Sequence, residues 1–273
     1  MRISYNFFFN KKPINKKEEE QKQKEANKNP SQWDNLGFLI EELREKNKHK
    51  NLLLPPQDPK YQGKLTLVIE LDDILVHTFQ PDEHEAYLNA PLRYFLQKIR
   101  INNKKKRDHD FYFELKEYDT YVSVYKRPYL DDFLKYIREN HEAILFTRGV
   151  KEYCSKVLEL IDPEKSFAHI LTNEDCDRVI YEPEDMDEYV KDLQRLGRDM
   201  KKVVYIDNQP INFWTAPDNA FPIPPYFGEL NNDDQSFKEI QESLNYLSSL
   251  DDVREYLQEE FQIKEILKSS RFL

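Results

Sequence analysis

The sequence predicts an α/β fold: a doubly wound parallel sheet with a small β-hairpin insertion and an N-terminal extension. Three observations carry this. First, LTLVIEL (65–71), EAILFT (142–147) and KKVVYIDN (201–208) are short runs of β-formers. They are nearly continuous in apolar residues, as strands covered on both faces should be. Second, segments of helical periodicity separate them, and serial strand–helix alternation builds a parallel sheet. Third, each run ends in polar residues: Glu70 and Asp72, Thr147, then Asp207 and Asn208. Ligands of such sheets sit beyond the carboxyl ends of the strands. Polar residues end many strands for no functional reason, but three such ends can converge on one crevice.

The elements follow in order. Residues 1 to about 33 read as a charged extension, and LGFLIEELREKNK (36–48) has the apolar spacing of a helix. LLLPPQDPKYQG is a proline-rich linker that cannot continue that helix. The division expected is a docking arm over 1–51 and a domain over 52–273. FYFELKEYDTYVSVYKR (111–127) alternates and reads as a hairpin outside the main sheet. Its tyrosines and phenylalanines suit either a peptide-binding strand edge or half-buried packing. In RPYLDDFLKYIREN, Pro128 suits a first turn, and Leu130, Phe133, Leu134 and Ile137 fall at helical spacing. Residues 150–161 form a second helix with Val150, Cys154, Val157 and Leu158 inward. SFAHIL is a short strand. After FPIPP, residues 233–248 and 251–262 read as acidic amphipathic helices.

Composition narrows the class. Apolar residues are 39% of 273, enough for a real core, and the net charge of -10 argues against non-specific nucleic-acid binding. The basic run NNKKKRDHD (102–110) reads as a solvated loop, with a nucleic-acid contact as the alternative. No apolar run approaches the roughly 18 to 20 residues that span a bilayer. Cys154 and Cys176 form no CxxC pair, which excludes a disulfide scaffold or structural zinc site. The first residues are basic with no acid before Glu18, a composition similar to an organellar targeting peptide. Trp33 and Trp214 are expected in core or interface.

LVIELDDILVHT, AILFTRG, YVKDLQRLGRDMKKVVYIDNQP and the segment from PDNAFPIPPYFGELNNDDQ onward resemble the haloacid-dehalogenase superfamily. The branch is that of the RNA polymerase II C-terminal-domain phosphatases and NLI-interacting factor. It also holds the presequence receptor of the mitochondrial inner-membrane translocase. The resemblance spans about 52–262. It implies a general acid and base at Asp72, a phosphate-binding hydroxyl at Thr147 and ammonium at Lys191, and a last polar pair at Asp207 and Asn208. The family nucleophile is an aspartate; here that position is Glu70, and the threonine two after the acid is Ile74. One extra methylene moves the attacking oxygen by about a bond length, and misplacement near 1 Å can cost on the order of 10²-fold.

The expectation drawn is a site no longer intact for catalysis at Glu70, Asp72, Thr147, Lys191 and Asp207. No cofactor is expected beyond Mg²⁺ bound weakly at Glu70, Asp72 and Asn208. The chain is expected to be a non-catalytic structural subunit of a large mitochondrial assembly: a respiratory-chain complex, the import translocase or the ribosome. Its partners would be protein subunits, with neither a membrane span nor nucleic acid. The alternatives are a presequence-binding receptor and an active Mg²⁺-dependent protein serine/threonine phosphatase.

Overall fold

In the computed structural model, β1 (Thr66–Ile69) is buried along its whole length. The structure describes residues 42–43, 45–47, 50–79, 109–118, 120–181, 186–229 and 234–268. Most of the extension, Trp33, most of the helix expected over 36–48 and the basic run through residue 108 lie outside these. Residues 42–43 and 45–47 are helical.

After β1 the chain turns through Leu71–Leu75 into β2 (Val76–Phe79). β3 (Phe111–Leu115) and β4 (Thr120–Lys126) pair antiparallel, and β2 adds to β4 to make a separate three-stranded sheet. The expected hairpin is therefore present, with a third strand the sequence did not suggest. Leu115, Val122 and Val124 are buried on one side, while Tyr112 and Tyr121 stack in the open with ring centroids 5.4 Å apart. Half-buried packing accounts for one face only.

α1 (Leu130–Asn140) buries Leu130, Phe133, Leu134 and Ile137 as the spacing predicts. Pro128 is not in its first turn. Tyr129 takes the N-cap in a left-handed conformation, φ 63°, so the helix starts one residue beyond it. β5 (Glu142–Phe146) and α2 (Lys151–Ile161) follow. α2 buries Tyr153 and Ile161 along with Cys154, Val157 and Leu158, and Val150 caps the helix from outside it. Then come β6 (His169–Leu171) and a two-stranded hairpin, β7 (Asp177–Tyr181) and β8 (Met186–Val190), which the sequence reading missed. β9 (Val203–Asp207) is wholly buried. β10 (Ala220–Pro222) completes the main sheet and takes in the start of FPIPP, and its proline is tolerated because the strand is an edge. α3 (Ser236–Ser248), α4 (Arg254–Phe261) and a short α5 (Ile263–Lys268) close the chain.

The main sheet runs β10-β9-β1-β5-β6 with every pairing parallel. The chain steps from β1 outward through β5 to β6, then returns to the other side of β1 for β9 and β10. That reversal leaves a switch point at the carboxyl end of β1, where such sheets bind ligands. This is the doubly wound parallel sheet expected. Among the described residues no helix is long and apolar enough to cross a membrane, and both cysteines are free.

Candidate active site

β1 is flanked by β5 and β9, so the first residues past its end meet those past theirs. Glu70 is 6% exposed, Lys191 3%, and Thr147 and Asp207 0%. One Glu70 oxygen accepts the Leu71 N–H at 2.9 Å, and the other accepts from the Lys191 ammonium. Lys191 also reaches Asp207 at 3.3 Å. Burial alone would lower the Lys191 pKa, but the charges of Glu70 and Asp207 outweigh it and raise the value. The ammonium therefore stays charged although enclosed.

Asp72 sits at the mouth and keeps some solvent contact. Its carboxyl is nonetheless crowded enough that burial, then the charge of Glu70, pushes it up to about 7. The Tyr153 hydroxyl donates to it, which acts the other way, and also lies 3.1 Å from the Thr78 hydroxyl. Thr147 Oγ1 accepts the Gly149 N–H at 3.1 Å, leaving its own proton free to donate. By extension of the register Ile69↔Leu145, Thr147 lies level with Leu71.

Asp207 is saturated: Tyr205 (3.1 Å), the Gln209 N–H (3.0 Å) and Asn212 (2.9 Å to each oxygen) all donate to it. Asn208 is half-buried beside it. Asp73 has φ 60°, and its carboxylate holds His77 Nδ1 at 2.9 Å. Arg127 is buried below the loop. It donates to the Ile74 carbonyl (3.3 Å), to Asp234 (2.9 Å), to the Pro224 carbonyl (2.8 Å) and to Ser236 (2.9 Å). Ile74 is fully buried.

The structure thus brings Glu70, Lys191 and Asp207 into direct contact, with Asp72 close enough to feel Glu70. Tyr153, Thr78, Asn212 and Arg127 were missed by the sequence reading. Only Asn212, five residues past Asp207 in a polar stretch, carried any local signal. Oxygen donors suit a hard cation such as Mg²⁺, although among the described residues no three carboxylate, imidazole or thiolate side chains are grouped to hold one. Asp207 has its lone pairs taken, so Glu70, Asn208 and the Asp72 carbonyl are the groups that would hold the ion.

Carboxylates from two strand ends, a lysine ammonium and a threonine hydroxyl are thus gathered at the carboxyl end of a doubly wound sheet. The chain belongs to the NLI interacting factor-like phosphatase family, whose match covers residues 65–254. It is 32% identical over 208 residues to human "Carboxy-terminal domain RNA polymerase II polypeptide A small phosphatase 1", covering 76% of this chain and 68% of that protein. It is 31% identical to the Dictyostelium discoideum "Probable C-terminal domain small phosphatase", covering 76% of this chain. The chain spans 58% of that protein, and 33% and 38% of two small phosphatase-like relatives from Dictyostelium discoideum and Caenorhabditis elegans. Among solved structures, fission yeast RNA polymerase II CTD phosphatase Fcp1 bound to beryllium fluoride aligns at 20% identity and TM-score 0.42, covering 76% of this chain and 57% of that one.

These relatives overturn one expectation. A non-catalytic structural subunit of a mitochondrial assembly is not what the chain resembles over its domain; proteins named as phosphatases are.

Proposed function

We propose that the chain hydrolyses phosphate monoesters of serine or threonine on a protein substrate, with Mg²⁺ bound. The observation that carries this is the unequal pair of carboxyl groups. Glu70 is ion-paired to Lys191, while Asp72 sits near 7 and is substantially protonated at neutral pH. A carboxyl pushed up in pKa beside one engaged in an ion pair is the pattern of acid and nucleophile.

A Glu70 oxygen would attack phosphorus as the ester P–O bond breaks, and the Asp72 proton would pass to the leaving oxygen. This leaves an acyl phosphate on Glu70 and a free alcohol. Asp72, now a carboxylate, would take a proton from water. The water oxygen would attack phosphorus, releasing inorganic phosphate and restoring Glu70. Lys191 and the free Thr147 proton would hold the phosphoryl oxygens. The bound cation would neutralise charge developing on the phosphoryl group.

Glu70 supports a second reading, phosphate binding with little or no turnover. One of its oxygens accepts the Leu71 N–H and the other is held by Lys191, so both are engaged before a substrate arrives. One experiment separates the two: inorganic phosphate release from a phosphoserine peptide with Mg²⁺. Turnover is expected in the native chain, lost in Glu70→Gln and Asp72→Asn, and raised about tenfold or more in Glu70→Asp. No turnover in the native chain, with turnover appearing only in Glu70→Asp, would leave the binding reading standing instead.

A further inference from the structure

A second charged cavity lies at the other end of the sheet. It holds about 410 Å³ and is lined by Lys60, Tyr61, Lys64, Arg138, Lys165 and Phe167. Lys64 comes just before β1, whereas Glu70 comes just after it. Six residues of extended strand, at about 3.3 Å each, place the two sites roughly 20 Å apart.

The cavity concentrates positive charge in a chain whose net charge is -10. Lys60 pairs with Asp58 at 3.5 Å and lies 4.7 Å from the Tyr61 ring centroid. Arg138 pairs with Glu164 at 2.7 Å. Lys64 donates to the Glu139 carbonyl at 3.2 Å, and Lys165 has no acidic partner among the described residues. Counting Asp162, whose carboxylate feels the charge of Arg138, three carboxylates face four cations. The potential is felt nearby: burial, then the charge of Lys64, holds His141 down at about 4.

The turn that carries Lys165 is firmly built. The Asp162 carboxylate accepts the Ser166 N–H at 2.7 Å and its hydroxyl at 2.8 Å, and the Lys165 N–H donates to the Asp162 carbonyl at 3.1 Å. Lys165 sits at φ 54°, a conformation lysine adopts only where its surroundings impose it. The floor, from Tyr61 and Phe167, is aromatic.

We propose that this cavity is a second anion site that binds a phosphate monoester on a phosphorylated protein segment. The anion class stands on the cavity alone; that the segment is a substrate of the crevice rests on the phosphatase reading. Spacing follows from geometry. A segment reaching both sites needs at least about six extended residues between its phosphates, and more to round the edge of the sheet.

The test is fluorescence anisotropy on the full chain in EDTA with labelled peptides. The peptides carry one phosphoserine, two about three residues apart, or two about twelve apart (order-of-magnitude spacings from the extended-chain length). Only the widely spaced pair is expected to bind about tenfold tighter than the single phosphate. Lys64→Glu with Lys165→Glu should erase that gain and weaken, without abolishing, binding of the single phosphate, which can occupy either site. Lys165→Gln, on an exposed turn, should erase part of it in a chain whose melt is unaltered. Equal affinity for all three peptides, or a gain that survives the charge reversal, overturns the proposal. Inorganic phosphate competing at the cavity without any peptide gain would make the ligand a free anion and also overturn it. Loss of the gain on charge reversal, in a chain that releases no phosphate, would leave the cavity standing and sink the phosphatase reading.

Discussion

Asp72 holds a carboxyl near 7 against an ordinary value of 3.8. Between those values the folded chain binds the proton that the unfolded chain has released. Stability therefore falls as pH rises through this window, and the cost is complete above pH 7. Asp72→Asn removes it. In EDTA, urea unfolding at pH 8 should find the variant more stable by on the order of 2 kcal/mol, a figure discounted for the partial exposure of Asp72. At pH 4 the two should agree. A variant no more stable at pH 8 would contradict the crowding around this carboxyl. Glu70, Asp72, Thr147 and Asp207 were legible in the sequence because each directly follows or closes an apolar strand. Lys191 was legible only through the family resemblance. Tyr153 was not, because its partner Asp72 lies 81 residues away in sequence and nothing local marks the pair.

At the scale of elements, the segment Lys191–Asp199 shows what its specific pattern is for. Lys191 alone points into the crevice. Asp192 caps the turn Leu193–Leu196, Arg195 donates to Asp177 at 3.2 Å, and Gly197 turns the chain at φ 66°, a conformation a side chain would strain. Arg198 forks onto Glu142 at 2.8 to 3.1 Å, with both side chains 1% exposed. Burial opposes ionisation of Glu142, but Arg198, Thr66 and Gln57 together pull its pKa below the usual range. Arg198→Leu strands that carboxylate. It should cost about 3–5 kcal/mol at pH 7 and less near pH 4, where Glu142 can take a proton. Chemical denaturation that finds under about 1 kcal/mol at pH 7 would show the pair to be dispensable. The strands of the main sheet were readable because β1, β5 and β9 are apolar throughout. The hairpin β7–β8 was not, since DRVIY and MDEYV mix charge and apolar residues without a clean period of two.

For the whole molecule, the question is where the domain begins. Asn47 is 4% exposed and donates to Asp177 at 2.5 Å and Asp192 at 3.2 Å. Lys50 reaches Asp177 at 2.8 Å, the Leu53 N–H donates to the Arg195 carbonyl at 2.7 Å, and Leu54 is part of the core. Leu43 packs with Val179, Val190, Ile211 and Trp214 in a small second core. Removing residues 1–41 should leave the melting temperature unchanged. Removing 1–50 should leave a folded domain that has lost two donors to the buried Asp177, worth about 1.5–3 kcal/mol. At about 2–4 °C per kcal/mol for a chain of this size, the melt should drop by roughly 3–12 °C. Equal melts for the two truncations would place the folding boundary after Lys50.

The order of strands in the main sheet has a consequence in time. β1 is central, yet it is made first, and its neighbours β5 and β9 arrive much later. Lys191 follows Glu70 by 121 residues. At about 5–20 residues per second of synthesis, that interval is roughly 6–24 s. β5 is complete well within that interval and can cover one edge of Leu65–Leu71, but the edge that β9 takes stays open and the Glu70 carboxylate has no ammonium. The nascent chain therefore carries a half-covered apolar strip and an unpaired carboxylate on the ribosome, and the last third of the protein completes both.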